Sequence, residues 1–277
     1  MTQLAVALAD GAIVAKRNLI KIKRVPEILI WTLMSPIMFV VLFAYVFGSN
    51  IEIPGTSYRE YLMGGIFAQT VIFGSTFTGA GLAEDMTKGI IDRFRSLPMA
   101  QSAVLVGRTG SDILYNSTSI TVMSLTGLLV GWRIRTGLID AVGGFFLLLL
   151  FAYAVSWIMA YVGLKVSSVE VVQNASFMFI MPATFISNAF VRADLLPGPL
   201  QTFAEWNPVS AVAQAVREAF GNTGDLPVPD TWSLQHPFVY SVIWVAIILA
   251  IFVPLSVRMR HPTSNPVNDM TVIAVEL

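Results

Sequence analysis

Six uncharged, mostly apolar runs divide the chain, at 28–48, 61–83, 113–131, 141–164, 171–191 and 237–257, and none contains Asp, Glu, Lys, Arg or His. A bilayer core is crossed by about 20 apolar residues in a helix. The pattern therefore predicts an all-α integral membrane protein with six transmembrane helices. Segment 1–27 precedes this core, and a polar tail, 258–277, which holds Pro262 and Pro266, follows it. No internal repeat is present, so 1–277 reads as a single transmembrane domain with a core over 28–257.

One polar interval has a pattern of its own. In "GLAEDMTKGIIDRFRSLPM" (81–99), Met86, Ile90, Phe94 and Leu97 recur at helical spacing. Glu84, Lys88, Asp92 and Arg95 repeat that spacing on the opposite side, and Glu84 precedes Lys88 by four residues, the favourable order for a helical ion pair. Pro98 stops the run, because it lacks a backbone donor and restricts the residue before it. A short amphipathic helix between the second and third spans is predicted. It is either a solvated loop kept out of lipid by its charges or a docking helix for a soluble partner.

Charge then sets orientation. Twelve of the 17 Lys and Arg residues fall on the side of the N-terminus, the 84–112 interval, Lys165 and the C-terminus. Arg59, Arg133, Arg135, Arg192 and Arg217 fall on the other. The positive-inside rule places both termini in the cytoplasm, with Arg133 and Arg135 against the trend. The 192–236 segment reads as outer structure, with helical stretches "PLQTFAEW" and "VSAVAQAVREAF" broken at Asn207-Pro208 and a net charge of −3.

Composition supports the membrane reading: 55% of residues are hydrophobic and 12% charged, and mean hydropathy is +0.71. A net charge of zero argues against a nucleic-acid binder. The absence of cysteine excludes disulfides, zinc-thiolate sites and thiol nucleophiles, and His236 and His261 both sit beside prolines in polar segments. No catalytic residues and no metal site are expected.

The stretch "EDMTKGIIDRFRSLPM" resembles the cytoplasmic signature of type-2 ABC exporter permeases, and "FISNAFVRADLLPGPLQTFAEWNPVSAVAQAVRE" (185–218) is similar to the segment before the last span in their daunorubicin-resistance branch. Arg192 departs from that branch, where proline is the more frequent residue. The resemblance implies a membrane permease subunit of a bacterial ATP-driven exporter in the plasma membrane, moving hydrophobic or amphipathic compounds such as a drug, an antibiotic or a lipid. It implies that Glu84, Asp85, Lys88, Gly89, Asp92, Arg93, Phe94, Arg95 and Pro98 couple to an ATP-binding subunit, which would hold ATP and magnesium. It also implies an amphipathic elbow helix near the N-terminus and short re-entrant outer helices. The spacing of Leu4, Leu8, Ala15, Leu19 and Ile22, with basic residues at the end, agrees with an interfacial helix. Two ATP-binding subunits and a second permease, identical or not, complete the expected assembly. Other readings are a permease for a lipid-linked glycan and a membrane scaffold that transports nothing.

The residues themselves supply two further constraints. No G-x-x-x-x-G-K-[ST] loop is present, so ATP needs another subunit. Ion-coupled carriers place charge inside their spans; here the nearest candidates are Arg108 and Asp112, read as an i, i+4 interfacial ion pair before the third span. Uncharged polar residues inside spans, Gln69, Gln173 and Asn174, either bond between helices or border a pathway, with Ser75, Thr76 and Thr78 read alongside them. Met34, Phe39, Phe43, Phe73, Phe77, Met178, Phe179 and Met181 would suit an apolar pathway or ordinary packing. Pro36 and Pro182 are candidate helix kinks, and the spacings Ser75-x3-Gly79 and Gly127-x3-Gly131 suit close helix contacts within a subunit or between two.

Overall fold

The computed structural model describes residues 34, 36–47, 51, 53–90, 103–166, 168–227 and 230–259. The described elements are an apolar helix α1 (Pro36–Val46) and the long helices α2 (Tyr58–Thr87), α3 (Ala103–Val130) and α4 (Leu138–Lys165). They continue with α5 (Val169–Phe185), α6 (Gly198–Trp206), α7 (Pro208–Phe220), the single turn α8 (Trp232–Gln235) and α9 (Pro237–Arg258). Four of these, α2, α3, α4 and α9, are long and apolar enough to cross a membrane. The elbow segment 1–27 and all of the tail beyond Met259 lie outside the described residues, as does the start of the first expected span, 28–33.

The fourth and sixth spans end within a few residues of their apolar runs. The second and third extend further, because their polar ends remain helical. The fifth differs: its helix stops at Phe185, not at Val191. The cause is a distant residue. The Asn207 side-chain amide donates to the Ala183 and Ile186 carbonyls at 2.6 and 3.0 Å, satisfying the end of the helix while the chain turns away. Pro182 lies inside α5, as the sequence indicates, and Pro254 lies inside α9. The last turn of the first helix is wound as a π-helix over Phe43–Phe47.

Helix α2 is the centre of the bundle. Of its apolar window 83% is buried, against 22% for α9. Ser57 caps its start by accepting from the Glu60 amide. Two of its contacts need glycine. A Cβ on Gly163 of α4 would lie 2.4 Å from the Gly79 carbonyl oxygen, so the two backbones touch at this crossing. One turn earlier the Ser75 hydroxyl lies 2.8 Å from the Val71 carbonyl and 2.9 Å from the Ala152 carbonyl of α4, sharing one proton between them. Ser75 and Gly79 therefore serve packing within the subunit. In the other small-residue pair, Gly127 lies against Met63 and Trp132, while Gly131, at φ +108°, ends α3.

The two ends of the bundle differ. One gathers the start of α2, the α3–α4 connection, the segment after α5, and α6 to α8. The other holds the ends of α2 and α4 and the start of α3. Around this second end Leu82, Leu105, Trp157 and Ala160 form a small separate apolar cluster.

Replacing Gly163 by Val will force α2 and α4 apart and cost about 1–3 kcal/mol of stability, the usual range for an overpacked core. Gly143→Ala is the control, since a Cβ there meets nothing within 4 Å. Thermal unfolding in detergent should show a lowered midpoint for Gly163→Val alone.

Candidate functional site

Thirty residues at 1.5 Å each make α2 about 45 Å long, more than the roughly 30 Å apolar core of a bilayer. It is therefore long enough for its last charged turn to reach beyond the lipid. The Lys88 ammonium lies 2.6 Å from Glu84 Oε1, the i, i+4 pair that the sequence spacing predicts. This hydrogen bond, and then the Glu84 charge, hold the Lys88 pKa above the ordinary lysine value. Asp85 faces inward and is buried, whereas Met86, Lys88 and Gly89 are exposed.

Glu84 and Asp85 are thus the end of α2 and not the start of a separate helix. Lys88 caps it, and Gly89 turns the chain at φ +65° before Ile90, which is again helical. The expected apolar stripe through Met86 and Ile90 is interrupted here, because an αL residue changes the helix axis. Asp92, Arg93, Phe94, Arg95 and Pro98 lie outside the described residues.

Arg108 and Asp112 do not form the expected ion pair. Arg108 Nη2 donates 2.8 Å to the Phe77 carbonyl of α2, and its guanidinium occupies the space a Cβ on Gly81 would need. Asp112 is buried with Oδ2 unpartnered. The order Arg before Asp is the less favourable one for an i, i+4 pair, and the open face of Gly81 offers the guanidinium a carbonyl instead. Gln69 is buried in α2 with its Oε1 unpartnered, while Gln173 and Asn174 are exposed on α5. The structure therefore does not bring these three amides together. Beside the latter two, Phe177, Met178 and Phe179 are also exposed. Phe39 and Phe43, by contrast, stack with each other and pack with Phe190.

The opposite end contains the residue that sequence reasoning missed. Arg217 of α7 is fully buried. Its Nε donates to the Tyr61 carbonyl at 2.7 Å, and Nη2 to the Asn188 and Ala189 carbonyls at 2.7 and 2.9 Å. The guanidinium carbon sits 3.7 Å from the Tyr61 ring centroid. A buried cation is costly unless its donors are met; here backbone carbonyls meet those of Nε and Nη2, Nη1 is left without a partner, and among the described residues no carboxylate lies within ion-pair distance. Gly64 and Gly65 make the room, since Cβ atoms there would strike Arg217 Cγ at 2.6 Å and the Ala189 carbonyl oxygen at 2.0 Å. The available signal was a lone Arg on the small-residue face of "VSAVAQAVREAF".

Around this anchor the α3–α4 connection is tied to the end of α7. Trp132 Nε1 donates to Asn222 Oδ1 at 2.7 Å, and Asn222 Nδ2 donates to the Arg133 carbonyl at 2.9 Å. Arg135 grips the buried Glu60 carboxylate through Nε and Nη2 at 3.0–3.2 Å. Arg133 Nη1 donates 2.8 Å to the Leu128 carbonyl in the last turn of α3, where the helix dipole favours a cation. Of the two arginines that oppose the charge asymmetry, Arg135 is thus paired with a carboxylate, while Arg133 keeps its charge against backbone carbonyls.

Between this network and α8 lies a cavity of about 480 Å³. Its wall includes Asn188, the Arg192–Asp194 ion pair, Glu205, Glu218 and Asp230. Beside it Trp206 and Trp232 set their rings edge-on to Tyr240, each at 6.0 Å, and both tryptophans are about half exposed. Such an aromatic group suits the boundary between lipid and water. Among the described residues no cluster of His, Cys, Asp and Glu could hold a metal ion.

The profile of one family, described as ABC-2 type transporter, matches residues 11–220. The daunorubicin resistance ABC transporter permease protein of Streptomyces coeruleorubidus is 32% identical over 243 residues, covering 88% of this chain and 83% of its own. A probable doxorubicin resistance ABC transporter permease protein of Mycobacterium tuberculosis is 26% identical over 85% of this chain and 83% of its own. The inner membrane transport permease YadH of Escherichia coli is 21% identical over 81% of this chain and 90% of its own.

Arg217→Leu will strip three carbonyls of their charged donor and lower stability by at least about 2 kcal/mol. Arg217→Lys will not restore it, because an ammonium lacks the planar fork that reaches all three and stacks on Tyr61. Unfolding midpoints in detergent, with Arg258→Leu as the comparison, test both.

Proposed function

The chain belongs to the ABC-2 type transporter family, and from that membership we propose that it exports hydrophobic or amphipathic compounds as one permease of a paired assembly. Permeases of this family carry no catalytic site and bind no cofactor; ATP is hydrolysed on a separate ATP-binding subunit. The observation that carries the proposed cargo class is the 32% identity to a daunorubicin resistance permease over most of both chains. The second relative, named for doxorubicin resistance, supports the same class.

The proposed working unit holds two permeases and two ATP-binding subunits. Gln173 and Asn174, with Phe177 to Phe179, form an exposed face on α5. Amides avoid lipid, so this face favours a second permease or a pathway between the two. The orientation with both termini cytoplasmic is supported by the charge count of twelve against five, with Arg133 and Arg135 on the minority side. In this orientation the Glu84–Lys88 turn meets the ATP-binding subunit and the Arg217 network lies outside.

Coupling then runs through α2. Nucleotide-driven movement of the ATP-binding subunit pushes on the segment after Gly89, which includes Asp92 and Arg95, and α2 carries the displacement to Tyr61 and Arg217. Such a push shifts the permease only if the contact differs between its two states. Glu84, Asp85, Lys88 and Gly89 fix the direction in which the segment leaves α2.

Gly89→Ala tests the coupling. Alanine is strained at φ +65° by about 1 kcal/mol, yet a Cβ there meets no neighbour within 4 Å. Folding should therefore survive while the exit angle changes. In cells co-expressing the ATP-binding subunit, export of a fluorescent amphiphile should fall several-fold at unchanged membrane abundance. Asp92→Lys combined with Arg95→Glu should do the same; full export in both variants would refute the coupling role.

A further inference from the structure

Arg108 and Asp112 sit one turn apart on the same side of α3, and each is left partly unmet. Arg108 Nη2 donates to the Phe77 carbonyl of α2 at 2.8 Å, with its guanidinium in the space beside Gly81. The Arg108 Nε atom is buried and has no partner among the described residues. Asp112 is 6% exposed, and its Oδ2 likewise has none. A cationic donor and an anionic acceptor on one helix are thus both open. Neither has water to turn to, so each open group raises the free energy of this arrangement.

Two acceptors compete for the guanidinium. The Phe77 carbonyl belongs to the neighbouring helix, so bonding to it ties α3 to α2. The Asp112 carboxylate belongs to α3 itself, so bonding to it would release that tie. Side chains at i and i+4 on a helix have Cβ atoms about 6 Å apart, so Arg108 can swing to Asp112 about its own torsions. The choice is balanced. Gly81 leaves room over α2, and the order Arg before Asp disfavours the pair within α3. Against this, a buried carboxylate gains more from a cation than a peptide carbonyl does.

We propose that Arg108 is a latch with two positions, holding Phe77 in the present state and Asp112 once α3 shifts against α2. The proposal rests on the coupling reading, in which the segment after Gly89 is pushed by the ATP-binding subunit. That segment leads to α3 at Ala103, and Arg108 lies five residues beyond. A bond of 2.8 Å stretched by about 1 Å is no longer a hydrogen bond. Capture by Asp112 then gives the shifted state a contact that the present state lacks. A push moves a population only through such a difference. Asp112 acts through Arg108 and touches no cargo, so it is a positioning residue.

The chain has no cysteine, so spin labels can be attached to cysteines introduced at Met86 and Ile113, both exposed, on α2 and α3. Their separation is measured in nanodiscs holding the permease with its ATP-binding subunit, before and after trapping with ATP and vanadate. In the parent the separation should change on trapping. In Asp112→Asn it should stay at the untrapped value, and export of a fluorescent amphiphile should fall about fivefold or more. The unfolding midpoint of Asp112→Asn should be no lower than the parent's, because the carboxylate oxygen it replaces has no donor in the present state. Arg108→Gln loses both positions, so its midpoint and its export should both fall. A parent-like change on trapping with full export in Asp112→Asn would overturn the latch and leave the coupling reading standing. A lowered midpoint in Asp112→Asn would also overturn it, by giving Asp112 a place in the present packing. No change in the parent itself would sink the coupling reading, and the latch with it.

Discussion

Arg217 joins three parts of the chain that are far apart in sequence: the first turns of α2, the segment after α5, and α7. It does so without a carboxylate partner among the described residues. The choice has a physical logic. A carboxylate beside Arg217 would add a second ion to desolvate, whereas backbone carbonyls are already present and need donors wherever helices end inside a packed region. The planar guanidinium reaches three of them while its face stacks on Tyr61. Other features of this end follow. Gly64 and Gly65 must stay small, α5 must stop at Phe185 to present its following carbonyls, and Asn207 must finish the helix so released. The cavity opens beside this anchor and takes its shape from the same segments.

Much of this architecture was legible from hydropathy. The limits of α4 and α9 follow their apolar runs closely, because nothing at their ends competes with lipid length as the deciding factor. The break at Asn207-Pro208 and the helices on either side were legible from turn chemistry. The early end of α5 was not, since "ISNAFV" is apolar enough to continue and the residue that stops it lies some twenty positions later. Tertiary demand outweighed local pattern.

The candidate site divides in the same way. The Glu84–Lys88 pair is a local event, set by spacing along one helix, and could be read directly. Arg108 and Asp112 had suitable spacing too, but a glycine on the neighbouring helix gave the arginine a better partner. Arg133, Arg135 and Arg217 looked like topology signals, and each proved to hold a specific acceptor. A count of charges records their sign and not their partners. The chain-wide likeness to ABC-2 permeases supplied the functional class; the residues supplied the geometry that class acts through.

The contact between Gly79 and Gly163 has a mechanical meaning. It lies eight residues from the charged end of α2 and 21 from Tyr58, arms of about 12 and 32 Å at helical rise. Under the proposed coupling, a rigid α2 pivoting at this contact would be a lever with its fulcrum near the driven end, multiplying a small stroke at Thr87 two- to threefold at Tyr58. In that case the place where the two glycines meet would set the gear ratio of the subunit.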